Sequence, residues 1–147
     1  GLEKERNILR YRPASTQVRG CADAKLVDVA RVVAAGLLAA GDNISVCLDP
    51  SLGEGLGRAL RSVGVAVTTA SDEDWYASLG ASRVRLVGGN PSRAADEADG
   101  DPDLALWANE VTSAPQVELL PFLREQSVSM TAHRFGNPDA GVLSVRL

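Results

Sequence analysis

Short apolar runs, most of them rich in β-branched residues, alternate with segments of helical period along most of this chain, at spacings too long for hairpins. The runs are Thr16 to Cys21, Ile44 to Leu48, Val65 to Thr69, Val84 to Val87 and Leu104 to Trp107. Between them lie segments such as Leu26, Val27, Ala30, Val33, Ala34, Leu37 and Leu38, whose threefold and fourfold spacing marks one face of a helix. Strands separated in this way must be parallel, joined by right-handed crossovers, and covered on both faces. The expectation is an α/β fold, a Rossmann-like three-layer sandwich with a mostly parallel sheet and a C-terminal β tail.

Punctuation residues sharpen the boundaries. Gly41 stands where a helix would end in a left-handed residue. Ser51 and Glu54 have the spacing of a capping box, Ser71 and Asp74 that of another helix start, and Asn90-Pro91 pairs an N-cap with an N1 proline. Glu118 to Glu125 reads as a last helix and Ser127 to Thr131 as the final core strand. Residues 1–15 are charged and without helical period, which suggests a surface linker. Residues 16–135 then form the domain and residues 136–147 a tail. In that tail Val142 to Leu147 alternates, so that Leu143, Val145 and Leu147 share a face.

A chain of 147 residues buries roughly two-thirds of its unfolded surface, enough for one core without staples. Two each of Trp, Tyr and Phe leave that core to Val, Leu and Ala. Net charge is −4, and the 15 basic residues are dispersed, which argues against a nucleic-acid footprint and for a protein or small-molecule partner. Leu26 to Ala40 is too short and too polar for a membrane span. Cys21 and Cys47 sit in apolar runs without metal spacing, as expected of reduced thiols in a cytoplasmic protein.

Two glycine clusters are nucleotide-site candidates. Gly53, Gly55 and Gly57 follow a strand that ends at Asp49, with Asp72 to Asp74 about 20 residues beyond, near where a ribose-binding acid would be sought. A G-x-G-x-x-G register fails, because Arg58 or Leu60 takes the last position. Gly53 and Gly57 also read as packing residues that bring a helix close to the sheet. Gly88 and Gly89 precede the Asn90 cap and read either as an anion cradle or as an ordinary turn. No residue is assigned as catalytic. Cys21 and Cys47 are expected in buried strands, where thiols are inert. The only histidine, His133, is distant from both in sequence. Asp96, Glu97, Asp99, Asp101 and Asp103 lack the register of a calcium loop, so no metal ligand is assigned and they read as solvated charge.

Leu119 to Asn137, LLPFLREQSVSMTAHRFGN, resembles the C-terminal motif of proline utilization A in its actinobacterial versions. This family is the bifunctional proline dehydrogenase and L-glutamate-γ-semialdehyde (pyrroline-5-carboxylate) dehydrogenase. At the other end Glu5-Arg6-Asn7 and Ile8 to Pro13 are similar to the segment by which that family leaves its aldehyde dehydrogenase module. The resemblance implies a non-catalytic, Rossmann-like C-terminal domain of a larger oxidoreductase of proline catabolism. The parent would use FAD and NAD, with no cofactor held by this portion. It also implies that the terminal motif docks on the dehydrogenase module of the same or a neighbouring chain and helps enclose the path of the intermediate. Carried over, that contact falls on Ser127, Ser129, Thr131, His133, Arg134, Phe135, Gly136, Asn137, Leu143, Val145 and Leu147. The residues alone leave a stand-alone nucleotide-binding module or an oligomerisation module as the other readings, and the tail strand pairs either in its own sheet or with an edge elsewhere.

Overall fold

The computed structural model describes residues 5–131, 133, 134, 137, 138, 141, 144 and 145. The chain divides into two compact units, Pro13–Leu123 and the paired terminal segments Gly1–Arg12 and Arg124–Leu147. Pro13–Leu123 is the α/β unit. Nearly all of β1 (Glu5–Pro13) belongs to the other unit. The α/β unit begins with β2 (Thr16–Gly20), α1 (Leu26–Ala40) and β3 (Ile44–Leu48). It continues with α2 (Glu54–Ser62), β4 (Ala66–Thr69), α3 (Asp72–Ala77) and β5 (Arg83–Val87). Its last elements are α4 (Pro91–Glu97), β6 (Ala105–Trp107) and α5 (Pro115–Leu119).

The five strands form one parallel sheet in the order β4-β3-β2-β5-β6. Alternation along the central strands distributes side chains between two cores. Val18, Val46, Leu48 and Val87 join Val29, Val32 and Val33 of α1, Leu60 of α2 and Phe122 on one side. Cys21, Cys47, Val84 and Leu86 join Trp75, Tyr76 and Ala94 from α3 and α4 on the other. This is the expected Rossmann-like sandwich. At Gly36 a Cβ would lie 2.7 Å from the Phe122 ring, so glycine permits the close approach of α1 to the turn at Leu120–Phe122. Gly41 ends α1 as expected, at φ +60°, its amide donating to the Leu37 carbonyl at 3.0 Å.

Several local expectations are corrected. The capping box does not form, because Asp49 acts first: its carboxylate accepts from the Ser51 amide at 2.9 Å and closes a 3-10 turn at Pro50–Leu52. Gly53, at φ +77°, then lets the chain restart as α2 from Glu54. It is therefore the residue before the helix, and among the described residues no atom beyond its chain neighbours lies within 4 Å of where its Cβ would be. Gly53 serves backbone conformation, not close packing. The last helix begins earlier than expected, with Pro115 in its first turn, and ends in a 3-10 turn containing Pro121, whose missing N–H disfavours a longer helix.

The terminal unit contains β1 and most of β7 (Leu123–Thr131), a two-stranded sheet. The segment expected as a surface linker is thus a strand, and Ser127 to Thr131 belong to this ribbon and not to the core sheet. Arg10 Nε donates to Gln126 Oε1 at 2.7 Å, and Ser129 Oγ donates to Asn7 Oδ1. The partners' numbers run in opposite directions, as antiparallel strands require. A short antiparallel ladder joins β8 (His133–Arg134) to β9 (Asn137–Pro138). Farther on, Ser144 sits in a turn, its amide and Oγ donating to the Gly141 carbonyl at 3.3 and 2.8 Å. The strand expected over residues 142–147 is replaced at Ser144 by this local bonding. Phe135, Gly136, Leu143 and Leu147 lie outside the described residues.

Candidate functional site

In an open parallel sheet, ligands meet the crevice beyond the carboxyl ends of strands where the chain reverses its direction of travel across the sheet. Here the reversal lies between β2, which neighbours β3, and β5, which neighbours β6. A cleft of about 390 Å³ lies at that end, lined by Asp23, Lys25, Asp28, Gly88, Gly89 and Glu110 among others. Three carboxylates against one ammonium make its lining predominantly acidic.

Each turn facing the cleft is bonded from within the unit. Asp23 Oδ1 accepts from the Gly89 amide at 2.7 Å. Tyr76 Oη accepts from the Asn90 amide at 2.8 Å and donates to the Asn90 carbonyl at 3.2 Å. Asn90 Oδ1 caps α4 by accepting from the Ser92 and Arg93 amides at 3.0 and 3.2 Å. Gly88 and Gly89 have φ of +71° and +72°. A Cβ on Gly89 would lie 2.5 Å from Cys21 Sγ and 2.7 Å from Tyr76 Oη, so this turn requires glycine for both conformation and space.

On the α3 side of the sheet is a buried charge network for which the chain offered only one clue, arginines inside otherwise apolar strands. Arg19, on β2, is fully buried. Its Nη2 donates to Asp72 Oδ1 at 2.6 Å and lies 3.7 Å from Asp49 Oδ2, while Nη1 donates to the Ala70 carbonyl and Cys47 Sγ at 3.1 and 3.2 Å. The guanidinium also lies 5.3 Å from the centre of the Trp75 ring. Asp72 Oδ2 accepts from the Ala22 amide at 3.1 Å, and Asp49 Oδ2 accepts from the Asp72 amide at 3.0 Å. Burial opposes the charge on Arg19, but its bond to Asp72 and the neighbouring sulfurs raise its pKa on balance. Burial likewise opposes ionised Asp49, yet bonds from Ser51 and Asp72 and the charge of Arg19 leave its pKa lowered. The Cys21 thiol is pushed up to about 11, first by burial and then by Asp72. Both cysteines are buried, as expected, and this shift keeps Cys21 a poor nucleophile at neutral pH.

The opposite face holds a second buried pair. Arg85 Nη2 donates to Glu118 Oε2 at 3.1 Å, Arg85 Nη1 donates to the Asn109 carbonyl at 2.9 Å, and Glu118 Oε1 accepts from the Thr112 amide at 2.7 Å. These bonds fix the loop after β6 that forms one wall of the cleft. Spacing could not have paired Arg85 with Glu118, because their meeting depends on α5 folding over β5.

The two glycine candidates therefore separate. Gly88 and Gly89 lie in the crevice, whereas Gly53 lines another cavity, of about 450 Å³, with Asp49, Gly57, Arg61 and Thr69. Gly55 lies in the first turn of α2. Asp72, sought as a ribose acid, bonds Arg19 and the Ala22 amide instead. The acids from Asp96 to Asp103 are exposed, and among the described residues no three His, Cys, Asp or Glu side chains are placed to hold a metal ion. Among those residues, too, no helix is long and apolar enough to cross a membrane.

In the terminal unit, alternation and register put Asn7, Leu9, Tyr11, Glu125, Ser127, Ser129 and Thr131 on one face of the ribbon. All are exposed, Leu9 by 61% and Tyr11 by 55%. Ser127, Ser129 and Thr131 are thereby brought together, with two apolar side chains that the sequence reading had not included. His133, Arg134 and Asn137 fall in the short β8-β9 ladder. Val145 is exposed, and its carbonyl accepts from Arg6 Nη1 at 2.7 Å.

No family model matches the chain, and no curated protein matches it. Among solved structures, it is similar to Proline Utilization A (PutA) from Corynebacterium freiburgense at 25% identity and a TM-score of 0.46. The likeness covers 92% of this chain and 11% of that one, so the chain spans a small fraction of the protein it matches.

Proposed function

We propose that this chain is a non-catalytic, Rossmann-like domain of a larger proline utilization A-like enzyme, and that its terminal ribbon docks on the aldehyde dehydrogenase module. In that role the domain supports assembly and helps close the path of the intermediate between proline oxidation and glutamate formation. The parent chain would carry FAD for the first oxidation and NAD for the second, with neither held by this portion.

One observation carries the reading. The two stretches that resemble the family come from opposite ends of the sequence, and they contribute the two strands of one ribbon, β1 and β7. A two-stranded sheet is marginal alone, and here its exposed face combines Leu9 and Tyr11 with small hydroxyl side chains. Such a face suits packing against another protein surface, and the outer strand edges suit augmentation of a neighbouring sheet. Aromatic and aliphatic anchors among small polar residues are also what a docking face uses.

The test is Leu9→Asp with Tyr11→Asp in the full-length enzyme. The reading expects the variant to lose native assembly on light scattering and to release pyrroline-5-carboxylate that the parent would retain, while proline oxidation continues. Unchanged assembly together with unchanged coupled turnover would sink it.

A further inference from the structure

The crevice where β2 and β5 end is placed as ligand sites of parallel α/β sheets are placed, yet the Ala22 and Gly89 amides, one on each flanking turn, are bonded to carboxylates of the same chain. We propose that Asp23 is a built-in latch. Its carboxylate occupies the place an inorganic or organic phosphate would take, and it holds the loop after β2 shut against the turn after β5.

The bonding supports this directly. Asp23 Oδ1 stands 2.7 Å from the Gly89 amide, and across the same loop Asp72 Oδ2 stands 3.1 Å from the Ala22 amide. Both are charge-assisted bonds of the type that would bind an anion. The Gly88-Gly89 turn is threaded against the latch: a Cβ on Gly88 would collide with the Asp23 carboxylate and come within 3.0 Å of the Ala24 amide nitrogen. Asp28 and Glu110 line the same cleft with Asp23, against Lys25. An incoming phosphate must therefore displace an existing carboxylate and then remain among others. With Asp23 removed, the Gly89 amide at a positive-φ turn becomes available, the backbone arrangement that forms anion-binding nests. This inference goes beyond the docking role and does not rest on it, since the latch lies wholly within the α/β unit.

The experiment follows backbone amides by NMR in the native chain, Asp23→Ala and Asp23→Asn, with inorganic phosphate as the probe. Loss of the latch in Asp23→Ala should speed Gly89 amide exchange on the order of 10- to 100-fold, the range for losing a hydrogen bond to a charged group. Phosphate should then shift the Gly88 and Gly89 resonances saturably in Asp23→Ala and not in the native chain. Unchanged Gly89 exchange in a folded Asp23→Ala, no saturable shift in that variant, or equal shifts in the native chain would each overturn the latch. Asp23→Asn removes the charge from the acceptor, so the test stands even if the alanine variant does not fold: Gly89 exchange must rise, and an unchanged rate refutes the latch.

Discussion

Arg19→Met tests whether the buried network, as distinct from general packing, holds the end of the sheet in place. The substitution keeps an unbranched side chain of similar reach and removes the charge. It leaves Asp49, 9% exposed, and Asp72, 29% exposed, without the guanidinium between them. Breaking a buried pair by removing one partner costs about 3–5 kcal/mol. The lower end applies here, because Asp72 retains partial contact with water and Asp49 keeps its bonds from the Ser51 and Asp72 amides. Removing Arg19 Nε also eliminates a buried donor with no hydrogen-bond partner. Urea denaturation should therefore show a loss of about 3 kcal/mol with unchanged slope, and Tm should fall by roughly 10 °C. Adding Asp72→Asn to Arg19→Met should cost less than the sum of the two single changes, with a coupling of about 1–3 kcal/mol. A loss below about 0.5 kcal/mol for Arg19→Met, or coupling within error of zero, would refute the claim that this network stabilises the unit.

Alkaline stability should depend on Cys21. Its folded-state pKa of about 11 lies above the ordinary thiol value of 9.0, so its contribution is fully present below the lower value and lost as pH rises between the two, by about 3 kcal/mol in all. Cys21→Ala should flatten the alkaline limb of chemical stability measured from pH 8 to 11, and an unaltered limb would contradict the assignment. Gly36→Ala should destabilise by about 1–3 kcal/mol in thermal denaturation, because the added methyl meets the Phe122 ring at 2.7 Å. A neutral or stabilising result would show that the ring moves aside freely. Glu118→Gln should cost about 2–4 kcal/mol, leaving Arg85 buried without its countercharge, and should raise amide exchange at Thr112, the donor to Glu118 Oε1. Unchanged protection of Thr112 would remove the pair from its role in holding the cleft wall.

The sandwich was legible because local patterns determine it. Ile44 to Leu48 and Val84 to Val87 carry continuous strand signals, and Gly41 and Asn90-Pro91 mark helix ends through local chemistry. The misread places involve competition or distant pairing. Asp49 pre-empted Ser51 by capping two residues on, and Pro121 turned an apparent helix into a 3-10 turn followed by a strand. Glu5 to Pro13 reads as a charged segment without helical period, and the partner that makes it a strand, β7, lies at the other end of the chain. The same limit applies to the site. Gly88 and Gly89 were visible as a special turn, but the closing carboxylate of Asp23 lies 66 residues away. Arg19 and Arg85 could be noticed as charges inside strands, whereas their partners Asp72 and Glu118 are supplied by helices folding over opposite faces.

The central claim is membership in a larger proline-oxidising enzyme. Its most direct test is to capture the native polypeptide from source cells with an antibody against this domain, then measure its denatured mass and its proline-dependent reduction of NAD. The account predicts a polypeptide several times heavier than 15.4 kDa that reduces NAD when given proline. A captured polypeptide of 15.4 kDa without that activity would contradict it.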